Sequence, residues 1–257
     1  MKVEGTVALV TGAAQGIGRS LTERLLELGA KWVSIIDIDK KLGGTLAEEL
    51  AEKYGKDRVG FMWCDIAYGD KLADVFEETY KKHNRLDIVV NNAAIQDETQ
   101  WEATVQVNYL AVVRGIRLAK KYMSTENGGN GGVVINTASC NGFRKAWVPV
   151  YASTKAAIIS LSRCLPEGDS AFIKGGMRVG AICPGYVETV LGKAGNMLLP
   201  DDNWPSPVPV ASVVDGYITM INDDSINGMV MTTTLAGNLP WPFKSNQEID
   251  SELKIFP

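Results

Sequence analysis

The stretch Val7–Gly18 reads VALVTGAAQGIG. Its first four residues, Val7–Val10, form an unbroken apolar run, and Thr11-Gly12 closes it with a turn signal. A strand without polar alternation has both faces buried, as strands inside a parallel sheet do. From Ile17 onward the apolar residues Ile17, Leu21, Leu25 and Leu28 recur at helical spacing, and Gly29 stops the helix. Gly12, Gly16 and Gly18, with Gln15 and Ile17 between and beside them, therefore fall in the turn from a first strand to a first helix. Glycine there lets the backbone approach a pyrophosphate, and the helix start offers free N–H groups to the anion. The spacing is G-x-x-x-G-x-G rather than G-x-G-x-x-G.

The same alternation continues outward. Further apolar runs at Trp32–Asp37, Val59–Trp63, Ile88–Val90, Val133–Thr137, Arg178–Ile182 and Met229–Thr233 read as strands. Between them lie helical patterns at Asp39–Tyr54, Asp70–His83, Ala103–Met123, Tyr151 to about Arg163, and Ala211–Ile221. Strands alternating with helices predict an α/β fold of the Rossmann type, a doubly wound, seven-stranded parallel sheet with helices on both faces. Nothing in the sequence divides it, so residues 1–257 read as a single domain. Prolines at 200, 205, 207 and 209 mark a substrate lid at about 190–210.

The 257 residues are 46% hydrophobic and 22% charged, ordinary values for a globular chain. A net charge of −4 excludes an electrostatic nucleic-acid binder. No apolar run reaches the ~18 residues of a membrane span, and no secretory h-region opens the chain, so a cytoplasmic location is expected. The cysteines Cys64, Cys140, Cys164 and Cys183 are scattered and expected to be reduced. With one histidine, His83, no metal site is expected.

Two places carry chemistry. Asp37 ends the second strand, where a carboxylate accepts from ribose hydroxyls and repels a 2′-phosphate. Gln15 and Ile38 supply no cation for that phosphate, so NAD is expected over NADP. Its bland alternative is a helix cap. Tyr151 and Lys155 stand at i and i+4 on one helix face. A nearby ammonium favours the phenolate of a residue whose ordinary pKa is ~10. Ser139 follows the fifth strand, at the sheet end where such folds bind ligands. Asn108, an amide in an apolar helix, needs a partner: a backbone carbonyl, or a water chain towards Lys155. Aromatic and apolar residues at Phe143, Trp147, Tyr186, Leu191, Met197 and Trp204 suit a pocket for a lipophilic substrate.

Taken together, TGAAQGIG (Thr11–Gly18), Asp37, Cys64-Asp65-Ile66, Asn91-Asn92-Ala93, Asn108, Ser139, Tyr151, Lys155 and Pro184-Gly185 resemble the short-chain dehydrogenase/reductase family. The resemblance spans residues 5 to about 190 in family order. It implies a Ser-Tyr-Lys mechanism with a supporting Asn, NAD as cofactor and no metal. It also implies that Asp65 holds adenine, that the Asn91 backbone lies near the adenosine ribose, and that Cys64, Ile66, Ala93 and Pro184 belong to the cofactor site. Lys155 would bind the nicotinamide ribose, and Val187 and Thr189 the carboxamide end. GTVALVTGAAQGIGR, RLDIVVNNA, NGGNGGVVINTAS and INDDSINGMVM are similar to the branch of NAD-dependent 15-hydroxyprostaglandin dehydrogenases, and VNYLAVV and VPVYASTKAAIISLS to insect-type alcohol dehydrogenases. The expected function is oxidation of a secondary alcohol on a lipophilic substrate, with Ser139, Phe143, Trp147, Tyr151, Tyr186 and Trp204 touching it. The alternatives are a small-alcohol dehydrogenase and a non-catalytic NAD-binding protein. A homodimer is implied, but Pro166, Gly168, Gly175 and Gly176 are expected to break the helix after Lys155.

Overall fold

The fold was determined as a computed structural model, which describes residues 1–196 and 206–244. Seven parallel strands form where the apolar runs predict them: β1 Val7–Thr11, β2 Trp32–Asp37, β3 Val59–Trp63, β4 Ile88–Asn91, β5 Gly132–Thr137, β6 Met177–Pro184 and β7 Met229–Thr234. Their order is β3-β2-β1-β4-β5-β6-β7. Sequence order reverses between β1 and β4, the place where an open α/β sheet leaves a crevice at its carboxyl edge. β1 is buried at all five positions because it lies between β2 and β4 and helices cover both faces.

One face of the sheet carries α1 (Gly16–Glu27), α2 (Lys40–Tyr54) and α9 (Val210–Asn222). The other carries α3 (Gly69–His83), α5 (Ala111–Met123), α6 (Pro149–Gly168) and the short α7 (Ser170–Ile173). α4 (Trp101–Val105) runs into α5 through a π turn, Gln106–Leu110, so the single helix expected over 103–123 contains a bulge.

Two further differences from the sequence reading have physical causes. An eighth strand, β8 (Gly237–Pro240), pairs antiparallel with β7. Gly237, at φ 112°, turns the chain back, and Asn238 Nδ2 donates to Ser212 O on α9 at 2.9 Å. Four residues that include Gly and Pro carry little strand signal, yet an edge strand tolerates both. Pro166 does not break α6, which runs on to Gly168. It lies in the last turns, where its ring packs against Gly228: a Cβ there would stand 3.1 Å from Pro166 Cγ. The stretch expected as a lid is described in part, with α8 at Val190–Asn196; Met197 and Trp204 lie outside the described residues.

His83 ends α3 far from the crevice. Its ring lies 4.7 Å from that of Trp32, and Nε2 is buried without a hydrogen-bond partner. Burial holds its pKa below 6.5, helped by Lys82 and Lys31. The unfolded chain therefore takes up this proton first as pH falls through 6.5, and the fold loses stability there. His83→Phe keeps the ring stack and removes the proton. Its unfolding free energy, followed by urea denaturation, should fall less steeply below pH 6.5 than that of the wild type; identical pH slopes would contradict this.

Candidate active site

The carboxyl ends of β1, β4, β5 and β6 open into a cleft of about 700 Å³. Its floor begins at the glycine loop. Gly12 and Gly16 have φ of 62° and 57°, the left-handed region that glycine adopts without strain. A Cβ on Gly12 would stand 2.7 Å from Ala93 Cα, so the loop after β1 meets the loop after β4 as backbone on backbone. Thr11 clasps the two: its Oγ1 accepts from Asn92 N at 3.0 Å and Ala93 N at 3.1 Å. Asn92 Nδ2 returns bonds to Thr11 O and Gly12 O. At the start of α1, Gln15 makes no capping bond and the first turn has no acid. The leading N–H groups of the helix are left for an anion.

Asp37 closes the next wall. Its Oδ2 accepts from Ala14 N at 2.9 Å and its Oδ1 from Asp39 N at 3.0 Å. The capping of α2 falls to Asp39, which accepts from Lys41 N and Leu42 N. Asp37 therefore supports the glycine loop and faces the cleft, alongside Ile38, Cys64, Asp65 and Ile66. Burial pushes the Cys64 thiol up to about 11.

The opposite wall holds the titratable pair. α6 begins at Pro149, pre-set for a first helical position. Tyr151 and Lys155 follow one turn apart, 7% and 2% exposed. Lys155 Nζ donates to Thr137 O at 2.7 Å and lies 5.4 Å from the Tyr151 ring centre. Ser139 Oγ accepts from Asn141 N at 3.1 Å and lines the cleft with Tyr151. Burial pushes Tyr151 up to about 12 against the opposing pull of the Ser139 hydroxyl, and burial lowers Lys155 to about 8. Burial thus favours the protonated phenol and disfavours the charged ammonium beside it. Among the described residues no group of His, Cys, Asp and Glu is placed to hold a metal.

Most of the expected residues meet at this cleft: Gly12, Gln15, Gly16, Ile17, Asp37, Cys64, Asp65, Ile66, Ala93, Ser139, Trp147, Tyr151, Lys155, Pro184, Tyr186, Val187 and Thr189 line it. Four stand off its wall. Gly18 packs behind the loop, where a Cβ would stand 2.2 Å from Gly12 O. The Asn91 side chain turns into the core, donating to Asn136 Oδ1 at 2.8 Å over Gly115, and Asn92 takes its place on the wall. Phe143 stacks on Trp241 at 4.2 Å, away from the cleft. Asn108 sits in the π turn, fully buried, and its amide takes both backbone groups of Ile95 at 2.9 and 2.8 Å. A backbone carbonyl is thus one of its partners, as the sequence reading allowed, and Thr154 Oγ1 is another at 3.3 Å. Sequence reasoning missed the Thr11 clasp, the π turn and Glu98. The carboxylate of Glu98 accepts from Val150 N and Tyr151 N at 2.9 and 3.0 Å. No local pattern marks a contact across 52 residues.

A glycine-lined helix start at a topological switch point, facing a buried Tyr-Lys pair, defines an oxidoreductase with a dinucleotide-binding Rossmann-type fold. The chain belongs to the short chain dehydrogenase family, whose model matches residues 6–197. It is similar to 15-hydroxyprostaglandin dehydrogenase [NAD(+)] of Macaca fascicularis, 38% identical over 248 residues, covering 91% of this chain and 92% of that enzyme. The Homo sapiens enzyme is 37% identical over the same shares. A 3beta-hydroxysteroid dehydrogenase 2 of Eggerthella lenta is 34% identical, covering 73% of each chain. Among solved structures, a 3-ketoacyl-(acyl-carrier-protein) reductase from Brucella melitensis complexed with NADH superposes with a TM-score of 0.77 at 25% identity, covering 90% of this chain and 97% of that one.

The buried ammonium has a measurable cost. An unfolded lysine keeps its proton to 10.5, while Lys155 gives it up near 8, so the fold is penalised below about pH 8 and recovers as pH rises towards 10.5. Lys155→Met fills the same space without charge. It should melt higher than the wild type at pH 7, with an advantage that shrinks between pH 8 and 10. A variant that melts lower at pH 7 would overturn the assigned burial penalty.

Proposed function

We propose that this chain is an NAD-dependent dehydrogenase that oxidises a secondary alcohol on a lipophilic substrate, in the manner of its 15-hydroxyprostaglandin dehydrogenase relatives. The observation that carries the proposal is the grouping of Ser139, Tyr151 and buried Lys155, its ammonium bound to Thr137 O, on the cleft wall opposite the glycine loop.

The cofactor cradle fits the group. Gly12 and Gly16 leave no side chain between the backbone and a pyrophosphate, and the uncapped start of α1 supplies N–H donors. Asp37 is placed for the adenosine ribose hydroxyls and repels a 2′-phosphate. Cys64, Asp65 and Ile66 would hold the adenine, and Ala93 with the neighbouring backbone its ribose. Pro184, Val187 and Thr189, which line the same cleft, would hold the nicotinamide end. When bound, the oxidised nicotinamide supplies the hydride acceptor and a fixed positive charge.

The chain's own residues do the rest. Ser139 Oγ holds the alcohol oxygen, and Tyr151 takes its proton as general base. Lys155 lowers the cost of the phenolate and binds the nicotinamide ribose. Asn108 supports the site by fixing the loop after β4 through both backbone groups of Ile95. Trp147, Tyr186 and Leu191 offer apolar wall to the substrate. We place the enzyme in the cytoplasm as a homodimer; Trp101 and Leu110, 53% and 38% exposed near the start of the α4–α5 helix, support a partner surface.

One set of measurements tests this reading. The wild type should reduce NAD+ with long-chain secondary alcohols and bind NADP+ at least ~10-fold more weakly. Asp37→Ala should narrow that gap. Tyr151→Phe should lose all but ~1% of turnover, the size of a lost general base, with NAD+ affinity within about threefold. Equal affinity for the two cofactors, or a Phe variant that keeps a tenth of the activity, would refute it.

A further inference from the structure

α6 carries the reacting phenol, yet it does not cap itself. Val148 makes no side-chain capping bond, Pro149 has no N–H, and the first turn has no acid. The open donors of that turn, Val150 N and Tyr151 N, are both taken by one carboxylate, Glu98, at 2.9 and 3.0 Å. Charge-assisted bonds to two successive helix-start N–H groups are strong, and the helix dipole favours an anion there.

Glu98 is itself held. Asp97 Oδ1 accepts from Thr99 N, Thr99 Oγ1 and Gln100 N, which folds the turn that presents Glu98. Thr104 Oγ1 pairs with the N–H and the carbonyl of Asp97. Asn108 grips Ile95, three residues earlier. The loop after β4 thus runs from the glycine-loop clasp, past the Asn108 grip, to the backbone N–H of Tyr151 itself.

We propose that Glu98 is a positioning residue for the alcohol oxidation: its carboxylate pins the start of α6 and so sets where the Tyr151 phenol stands relative to Ser139. The proposal rests on the functional reading above. Lys155 has its own anchor at Thr137 O, so a loosened helix start displaces the phenol more than the ammonium.

Glu98→Ala and Glu98→Gln separate positioning from folding. Misplacing a reacting group by about 1 Å costs up to ~100-fold, so Glu98→Ala should lose about 10- to 100-fold in kcat. Its NAD+ affinity should stay within about threefold, because Lys155 and the glycine loop are untouched. Glu98→Gln keeps one acceptor and should recover most of that rate. Amide exchange at Val150 and Tyr151, followed by NMR, should speed up in Glu98→Ala; this readout needs no turnover. Wild-type activity reads the functional proposal, and the variant-to-wild-type ratios read this one. Unchanged exchange at both amides, kcat for Glu98→Ala above half that of the wild type, or a Glu98→Gln variant no faster than Glu98→Ala would overturn it.

Discussion

Burying the Lys155 ammonium is the constraint around which the reactive end is arranged. A charge that is 2% exposed needs an acceptor at a fixed place. The acceptor is Thr137 O, at the last residue of β5, 2.7 Å away. Thr137 is fixed in turn, because its Oγ1 pairs with the buried Tyr217 hydroxyl of α9 at 2.5 Å. β6 lies in register beside it, Thr137 against Ile182. The ammonium therefore ties α6 to the end of the central sheet, and the phenol one turn earlier is delivered next to Ser139. The lysine is held below its ordinary pKa and the tyrosine above its own, both by burial. Both shifts disfavour the charged forms, so the buried pair costs stability to fold.

The opposite wall obeys a different rule: backbone must meet backbone. Gly12 against Ala93 and Gly18 against Gly12 O leave no room for side chains, and Thr11 with Asn92 stitches the two loops together. The π turn at Asn108 serves the same loop. One extra residue in the helix turns the amide inward to grip Ile95, at the expense of regular helical bonding. Cofactor cradle and phenol are thereby linked through one short segment, residues 92–100.

Much of this is legible in the sequence, for identifiable reasons. Apolar runs such as Val7–Val10 and Val133–Ile135 can only be doubly buried strands, and the glycine loop follows from their position. Tyr151 and Lys155 sit at a helical spacing that brings them to one face. What escapes is long-range or conformational. β8 is too short and too rich in Gly and Pro to announce itself. Phe143 looks like pocket wall until Trp241, 98 positions on by residue number, stacks on it. Asn91 and Asn92 differ only in which face of β4 each leaves, and one residue of register sends the first into the core. Glu98 has no periodic neighbour at all.

The central claim is that the phenol of Tyr151 is held protonated by burial and becomes a usable base only when positive charge is bound beside it. Ultraviolet difference titration of the tyrosinate reads this directly, with Tyr151→Phe as the subtraction and saturating NAD+ present or absent. No Tyr151 ionisation is expected below about pH 10 without NAD+, and a midpoint lower by about 1–3 pH units with it. A midpoint that is the same in both conditions would contradict it.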